Sequence, residues 1–489
     1  MPGGCFEQTS SSTYPDVLAM DYLKTSKKLT PEIRAKAEQY VSLGYQRLLT
    51  FEVRGGGFSW FGEAPANKIL TAYGLMEFYD MGRVHEVDPR LIERTQDWLA
   101  RQQQPDGSFK PDAAFINEGA TNRYNTDVVR ITAYVGWALA ATGYRDEAVE
   151  KAQKFVASHL TGKEDAYTLA VIANFAADFG GVATWTDGSI EALVAKVTEG
   201  PKTAYWKQEG ETPTSAREES ADLETTALAA QALLKSGRKS ALAKRALDYL
   251  AGKKDSFGNW STTQATILSL KAFLLSFAKG QDADTSGTIE VSVDGKTAGR
   301  VEITKENNDL LRMVDLKSYT HGGGHRIGLS FTGQGNVQYQ IVGRYYVPWD
   351  LRSDSEPRGP LSIDIAYDRM RLAQDEVATA KVRVRNNTPA TARLIMVDSG
   401  FEPSSEDFEA LVDQTRGRVG GKLEKYTITA KQAILYFDGL GPEQTVEFSF
   451  GLRAKFPVRA KTFSSRAYEY YNPRVEDRTK PVEMTIVAK

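Results

Sequence analysis

Apolar residues recur at helical spacing up to about residue 280 and at a spacing of two beyond it. In the first half, Thr30-Pro31-Glu32 leads into Ile33, Ala37, Tyr40, Val41, Gly44 and Leu48. Thr30 has the character of an N-cap and Pro31 that of a first helical residue. The same grammar predicts helices over 127–141, closed by Gly143, and over 167–179, closed by Gly180-Gly181. A loose repeat runs through these helices, in which a glycine-aromatic turn precedes a helix rich in Thr, Ala and Leu. Its copies are "GGGFSWFGEAPANKILTAYGLMEF", "DGSFKPDAAFINEGATNRYNTDVVRITAYVGWALA" and "FGNWSTTQATILSLKAFLL", with "EESADLETTALAAQALLKSG" as a copy lacking the aromatic turn. Helical hairpins repeated in this way are expected to close into an α/α toroid, its turns gathered on one rim where a site forms.

Past residue 285, Ile289, Val291 and Val293, then Asp294-Gly295, then Val301 and Ile303 predict a β-hairpin. The stretch "VPWDLRSDSEPRGPLS" places a boundary near residue 357. Beyond it, segments 361–367, 378–385 and 393–398 alternate like the strands of a sandwich, with one short amphipathic helix expected over 404–414.

Lys and Arg number 61 against 63 Asp and Glu, a net charge of −2, so no charge excess points to nucleic acid or an anionic membrane. No stretch approaches the roughly 20 apolar residues of a membrane span, and the N-terminus lacks the basic and apolar regions of a signal peptide. The single cysteine, Cys5, has no second thiol with which to close a disulfide. It stands three positions before Gln8. A Cys thiolate can attack the side-chain carboxamide carbon of such a glutamine, releasing ammonia and leaving an internal thioester. The thiolate is a good leaving group, with a reference pKa of about 8.5, so the acyl group of Gln8 would be a stored electrophile that must be kept dry. The alternative fate of Cys5 is that of a small buried hydrophobe.

"GGCFEQ" resembles the Cys-x-Glu-Gln thioester motif of the alpha-2-macroglobulin and complement family. "GGGFSWFGEAPANKILTAYGLMEF" and "PDGSF" resemble segments that follow the motif there, and "VDSGFEP", "ILYFDGL" and "AYEYYNP" resemble signatures of its C-terminal domain. The resemblance implies a multidomain α-then-β chain. An α/α toroid thioester domain occupies residues 1–284, the C-terminal part of a CUB-like β domain 285–357, and a receptor-binding, macroglobulin-like β-sandwich 358–489. It also implies the C-terminal part of a larger, extracytoplasmic protease inhibitor, with further macroglobulin domains upstream. The lone cysteine is more similar to the bacterial branch.

By the same resemblance, Cys5 and Gln8 form the thioester; Glu7 is a candidate to support the motif's turn by hydrogen bonds, with a solvated carboxylate as the rival assignment. In the complement branch a histidine in the loop after "PDGSF" attacks the thioester. The matching position here is Asn117, in a loop without histidine, so amines such as lysine side chains of target proteases are expected to attack directly. Phe58, Trp60 and Phe61 are candidates for an apolar wall beside the thioester, with toroid core as the rival assignment. Tyr436, Tyr470 and Tyr471 are candidates for its cover, with sandwich core as the rival. "HGGGH", His321 to His325, lacks the Cys or acidic partners that zinc usually needs, so neither metal nor cofactor is expected. The 404–414 helix matches the family's receptor-binding helix in place, yet carries Glu406, Asp407, Glu409 and Asp413 where lysines are used in animals. Two readings compete with a covalent trap. A toroid enzyme of the terpene-cyclase kind would need a "DDxxD" motif or a zinc triad, and neither is present. A complement-like surface tag, or a binding module whose thioester never forms, remains the other.

Overall fold

A computed structural model describes residues 5–25, 29–112, 126–214, 216–255, 258–279, 285–304, 307–308, 312–335, 337, 339–346, 348, 359–399, 423–428, 433–470 and 472–488. Asn117, Tyr471 and the helix expected over 404–414 lie outside these residues.

The described helices are α1 (Phe6–Thr25), α2 (Pro31–Leu49), α3 (Lys68–Met81), α4 (Pro89–Arg101), α5 (Val128–Ala141), α6 (Glu147–His159), α7 (Ala166–Phe179), α8 (Ala183–Val194), α9 (Glu218–Ser236), α10 (Ser240–Gly252) and α11 (Thr263–Ala278). Their starts follow the capping rules. Thr30 accepts from the Ile33 N–H with Pro31 in the first turn, and Asn67, Asp127, Asp165 and Thr262 cap α3, α5, α7 and α11 through their side chains. The odd-numbered helices pack side by side in the closed order α1, α3, α5, α7, α9, α11 and back to α1, while each even-numbered helix lies outside its predecessor. This is an α/α toroid. Inner helices such as α3 and α7 are buried nearly all round, whereas outer α4 buries only Leu91, Thr95, Gln96 and Leu99.

One hydrogen bond recurs around the rim. The backbone N–H of an aromatic residue in the turn donates to a threonine hydroxyl on the following inner helix: Phe58 to Thr71 (2.9 Å), Phe109 to Thr132 (2.9 Å), Trp206 to Thr226 (3.0 Å) and Trp260 to Thr266 (3.0 Å). The repeat copy on α9 therefore has its aromatic turn, contrary to the sequence expectation. Trp206 supplies it from the short hairpin β1 (Val197–Glu199) and β2 (Ala204–Trp206), which also interrupts the all-helical pattern predicted for this half. Residues 207–217 separate Trp206 from its helix and hide the repeat in the sequence.

After α11 the described elements are strands. β3 (Ser286–Val293) pairs antiparallel with β4 (Lys296–Ile303) and β5 (Ile327–Gln334), and the turn residues Asp294 and Gly295 have φ of 49° and 82°, as the predicted hairpin requires. A sandwich follows. One sheet has the order β10 (Leu423–Ile428), β11 (Ala433–Leu440), β9 (Ala392–Ser399), β14 (Arg466–Glu469), β15 (Asn472–Arg478), and the facing sheet the order β12 (Thr445–Arg453), β8 (Val377–Asn386), β6 (Leu361–Tyr367). A third, smaller sheet joins β13 (Val458–Lys461), β16 (Glu483–Val487) and β7 (Arg371–Ala373). Strand β8 alternates buried and exposed residues along its length, so Ala380, Val382 and Val384, with Phe448 beside them on β12, share one core with Leu435 and Phe437 of the facing sheet.

Candidate functional site at the start of the first helix

Helix α1 begins at Phe6, which makes Cys5 the residue before its first turn and Gln8 the third residue of that turn. The Cys5 N–H donates to Gln8 Oε1 at 3.1 Å, and the Thr9 N–H donates to the Cys5 carbonyl at 2.9 Å. This is the backward half of a capping box, in which a Glu or Gln three residues into a helix satisfies the N–H of the cap residue. The Cys-x-x-Gln spacing is thus a helix-start signal in its own right, one that a motif search passes over. Local geometry alone brings a thiol-bearing residue and a carboxamide to the same helix end.

The first turn is fixed from behind. The Phe6 N–H donates to the Trp60 carbonyl at 2.9 Å, and the Phe6 ring packs on Phe51, Phe58 and Tyr73. Gly74 on α3 makes room for it, since a Cβ there would lie 2.7 Å from Phe6 Cζ. Phe58 and Trp60 are core residues, while Phe61 is half-buried. Of the three aromatic candidates, Trp60 thus reaches the motif through its backbone and Phe58 through Phe6. Deeper along α1, Tyr14 donates to Asp80 at 2.6 Å and Lys271 pairs with Asp80 at 2.8 Å, tying α1 to α3 and α11.

The other side of Gln8 faces the sandwich. Gln8 Nε2 donates to the Tyr436 hydroxyl at 2.9 Å, across 428 positions of sequence. Tyr436 alternates on β11 with Leu435 and Phe437, both in the sandwich core, so its ring leaves the opposite face. Register makes Tyr436 and Tyr468 the cross-strand neighbours of Met396, and Tyr468 donates to Met396 Sδ at 3.2 Å. Met396 and Tyr468 were not expected from the sequence; the signal is their place opposite Tyr436 on the outward face. Tyr470, in the turn after β14, is half-buried. Burial pushes its phenol well above the usual value, with Cys5 and Glu7 adding to the push. Burial likewise raises Tyr436, against the pull of the Gln8 bond. Both tyrosines are neutral at physiological pH.

Glu7, half-buried, acts electrostatically on a second carboxyl. Glu224 on α9 is buried and accepts from Thr214 at 2.8 Å and Thr262 at 3.3 Å; burial pushes its pKa up to about 7, and Glu7 adds to the rise. His325 lies far along the chain on the β-hairpin side, bonded to Asp294 at 2.7 Å, and among the described residues no group of three or more His, Cys, Asp or Glu is arranged to hold a metal ion. No described helix is long and apolar enough to cross a membrane.

Comparison with known proteins agrees with this architecture. The family model of the A-macroglobulin TED domain matches residues 1–275, and that of the A-macroglobulin receptor binding domain matches residues 395–480. Ovostatin of Gallus gallus is 22% identical over 495 residues, covering 96% of this chain and 32% of its own length, so the chain spans about a third of that relative. Among solved structures, native alpha-2-macroglobulin of Escherichia coli from domain MG7 to the C-terminus superposes with a TM-score of 0.65 at 14% identity, over 99% of this chain and 73% of that one. A Salmonella alpha-2-macroglobulin reacted with methylamine gives 0.66 at 15% identity, over 100% of this chain and 30% of that one. At such identities these two likenesses speak for the fold. A helical toroid, a rim motif at the start of α1 and a β-sandwich set against it, matched in order by the two domain models, make this chain a member of the alpha-2-macroglobulin family of thioester-containing proteins.

Proposed function

We propose that Cys5 and Gln8 join as an internal thioester and that the chain is the covalent-capture part of a protease inhibitor. The observation that carries this reading is the pair of bonds on the Gln8 carboxamide: Oε1 to the Cys5 N–H at 3.1 Å and Nε2 to Tyr436 at 2.9 Å. Attack of the Cys5 sulfur on Gln8 Cδ builds negative charge on Oε1, where the N–H at a helix start stabilises it. The C–N bond breaks, the nitrogen takes up the thiol proton, and ammonia leaves on the side of Tyr436. In the reverse sense, a lysine amine attacks the acyl carbon, an amide forms, and the sulfur departs as the thiolate, protonated by the proton the amine gives up. Each chain acts once, which makes it a trap and not a catalyst.

Target proteases and other amine-bearing proteins are the proposed covalent partners, with further macroglobulin domains of a parent chain placing them. Residues 285–357 would be the C-terminal part of a CUB-like domain, and the setting extracytoplasmic. The similarity to ovostatin and to bacterial alpha-2-macroglobulins supports the inhibitor reading over a surface tag. Intact mass tests it. The protein should be lighter than its sequence by one ammonia and gain one methylamine per chain, and Cys5→Ala should abolish both changes. Equal methylamine incorporation into Cys5→Ala would refute the thioester.

A further inference from the structure

The toroid and the sandwich also meet at the first turn of α9. Glu219 stands in that turn with its side chain 24% exposed. Its Oε1 accepts from Lys253 Nζ at 2.6 Å, and its Oε2 pairs with Arg474 on β15. Lys253 caps α10, and its ammonium lies 5.6 Å from the centre of the Tyr249 ring, so the carboxylate is anchored from the toroid side before the sandwich contributes anything. Just ahead of α9, Arg217 donates to the Thr391 carbonyl at 3.3 Å, at the start of β9.

These two contacts reach the strands that carry the outward row over Gln8. β15 is hairpin-paired with β14, whose Tyr468 opposes Glu476, and β9 carries Met396. We propose that Glu219 is a positioning residue: held by Lys253, it seats Arg474 and so sets the sandwich in the register that lays Tyr436 on Gln8. Neither the thioester motif nor the cover tyrosines accounts for a carboxylate placed between two cations of different domains. The single negative charge neutralises a mutual repulsion, so Glu219→Gln does more than delete a bond. It leaves Lys253 and Arg474 facing each other. Arg474 is 61% exposed, so the contact is open to screening by salt.

The kinetic part of the test rests on the thioester reading, while the structural part does not. Hydrogen exchange of β11 and β14 is measured in Glu219→Gln, Arg474→Gln and Arg474→Lys, each in the otherwise native chain and in Cys5→Ala, at low and at high salt. Glu219→Gln and Arg474→Gln should raise exchange about two- to fivefold in both backgrounds at low salt, Arg474→Lys should raise it less, and high salt should bring the native chain toward the variants. Where methylamine is captured at all, the same variants should capture it faster by a similar factor. Melting of the toroid should not move for Arg474→Gln, since that side chain is largely exposed on the sandwich. Unchanged exchange in Glu219→Gln and Arg474→Gln would overturn the proposal, as would raised exchange with unchanged methylamine capture. Absence of any capture in the native chain would count against the thioester and leave the exchange comparison to judge Glu219.

Discussion

Gln8 uses both ends of its carboxamide, one toward Cys5 and the other toward Tyr436. Gln8→Ala and Cys5→Ala should each abolish methylamine capture while leaving thermal unfolding within about 1 kcal/mol of native, because a half-buried rim position adds little to the toroid core. Mass spectrometry and a melting curve check both halves. Direct attack, in a loop without histidine, favours amines over neutral hydroxyls. Offered equal methylamine and glycerol, the protein should give mainly the amide, and Asn117→His should shift product toward the ester; comparable ester in the native protein would contradict the assignment of Asn117. Deeper in the toroid, burial pushes the pKa of Glu77 up to about 8, with Ser10 and Lys271 pulling it down only in part. A carboxyl whose folded pKa is raised stabilises fully below its unfolded value of about 4.5, and that contribution is lost as pH rises through about 8. The slope is about 1.4 kcal/mol per pH unit inside that window. Glu77→Gln should therefore flatten this part of the stability profile between pH 4.5 and 8, as denaturant titrations across pH would show.

At the scale of elements, the bond from aromatic N–H to threonine hydroxyl is the joint that sets the rim turns before α3, α5, α9 and α11 on their helices. Thr226→Val keeps the shape of the side chain and leaves the Trp206 N–H, buried, without its acceptor, so it should cost about 1–3 kcal/mol by denaturant unfolding. Thr71→Val should cost a similar amount and also slow methylamine capture, because Phe58, whose N–H Thr71 accepts, carries Phe6 and with it the first turn of α1. An equal effect of both variants on capture would show that the rim moves as one unit. The same turn depends on the close approach of Phe6 to Gly74.

For the molecule as a whole, the proposed thioester assigns the sandwich the task of keeping water from Gln8. Tyr436→Ala and Tyr470→Ala should shorten the lifetime of the thioester in buffer by several-fold, read as the return of a titratable thiol over time. Unchanged lifetimes in both would assign the tyrosines to the sandwich alone. Among the described residues, the contacts between toroid and sandwich include a hydrogen bond at Gln8, another at Thr391 and an ion pair at Glu219. Polar contacts of this kind separate at little cost when water replaces the partner, unlike the continuous apolar cores on either side.

What the sequence determined by itself is whatever neighbouring residues decide. The cap at Thr30, the Asp294-Gly295 turn, the alternation along β8 and the Cys5-to-Gln8 spacing all lie within a few residues, where chain geometry leaves few options. Family resemblance then extended that local motif to a chemistry and pointed to Tyr436 as a partner. Only the tertiary structure decided that the Tyr436 ring leaves the sandwich core, that Met396 and Tyr468 share its row, that Trp206 completes the repeat on α9, and that Glu219 meets Arg474. Each of these joins residues far apart in the chain, and many polar or aromatic positions would satisfy the same local rules. The packing of two finished domains selects among them, and a pattern of period 3.6 or 2 carries no record of that choice.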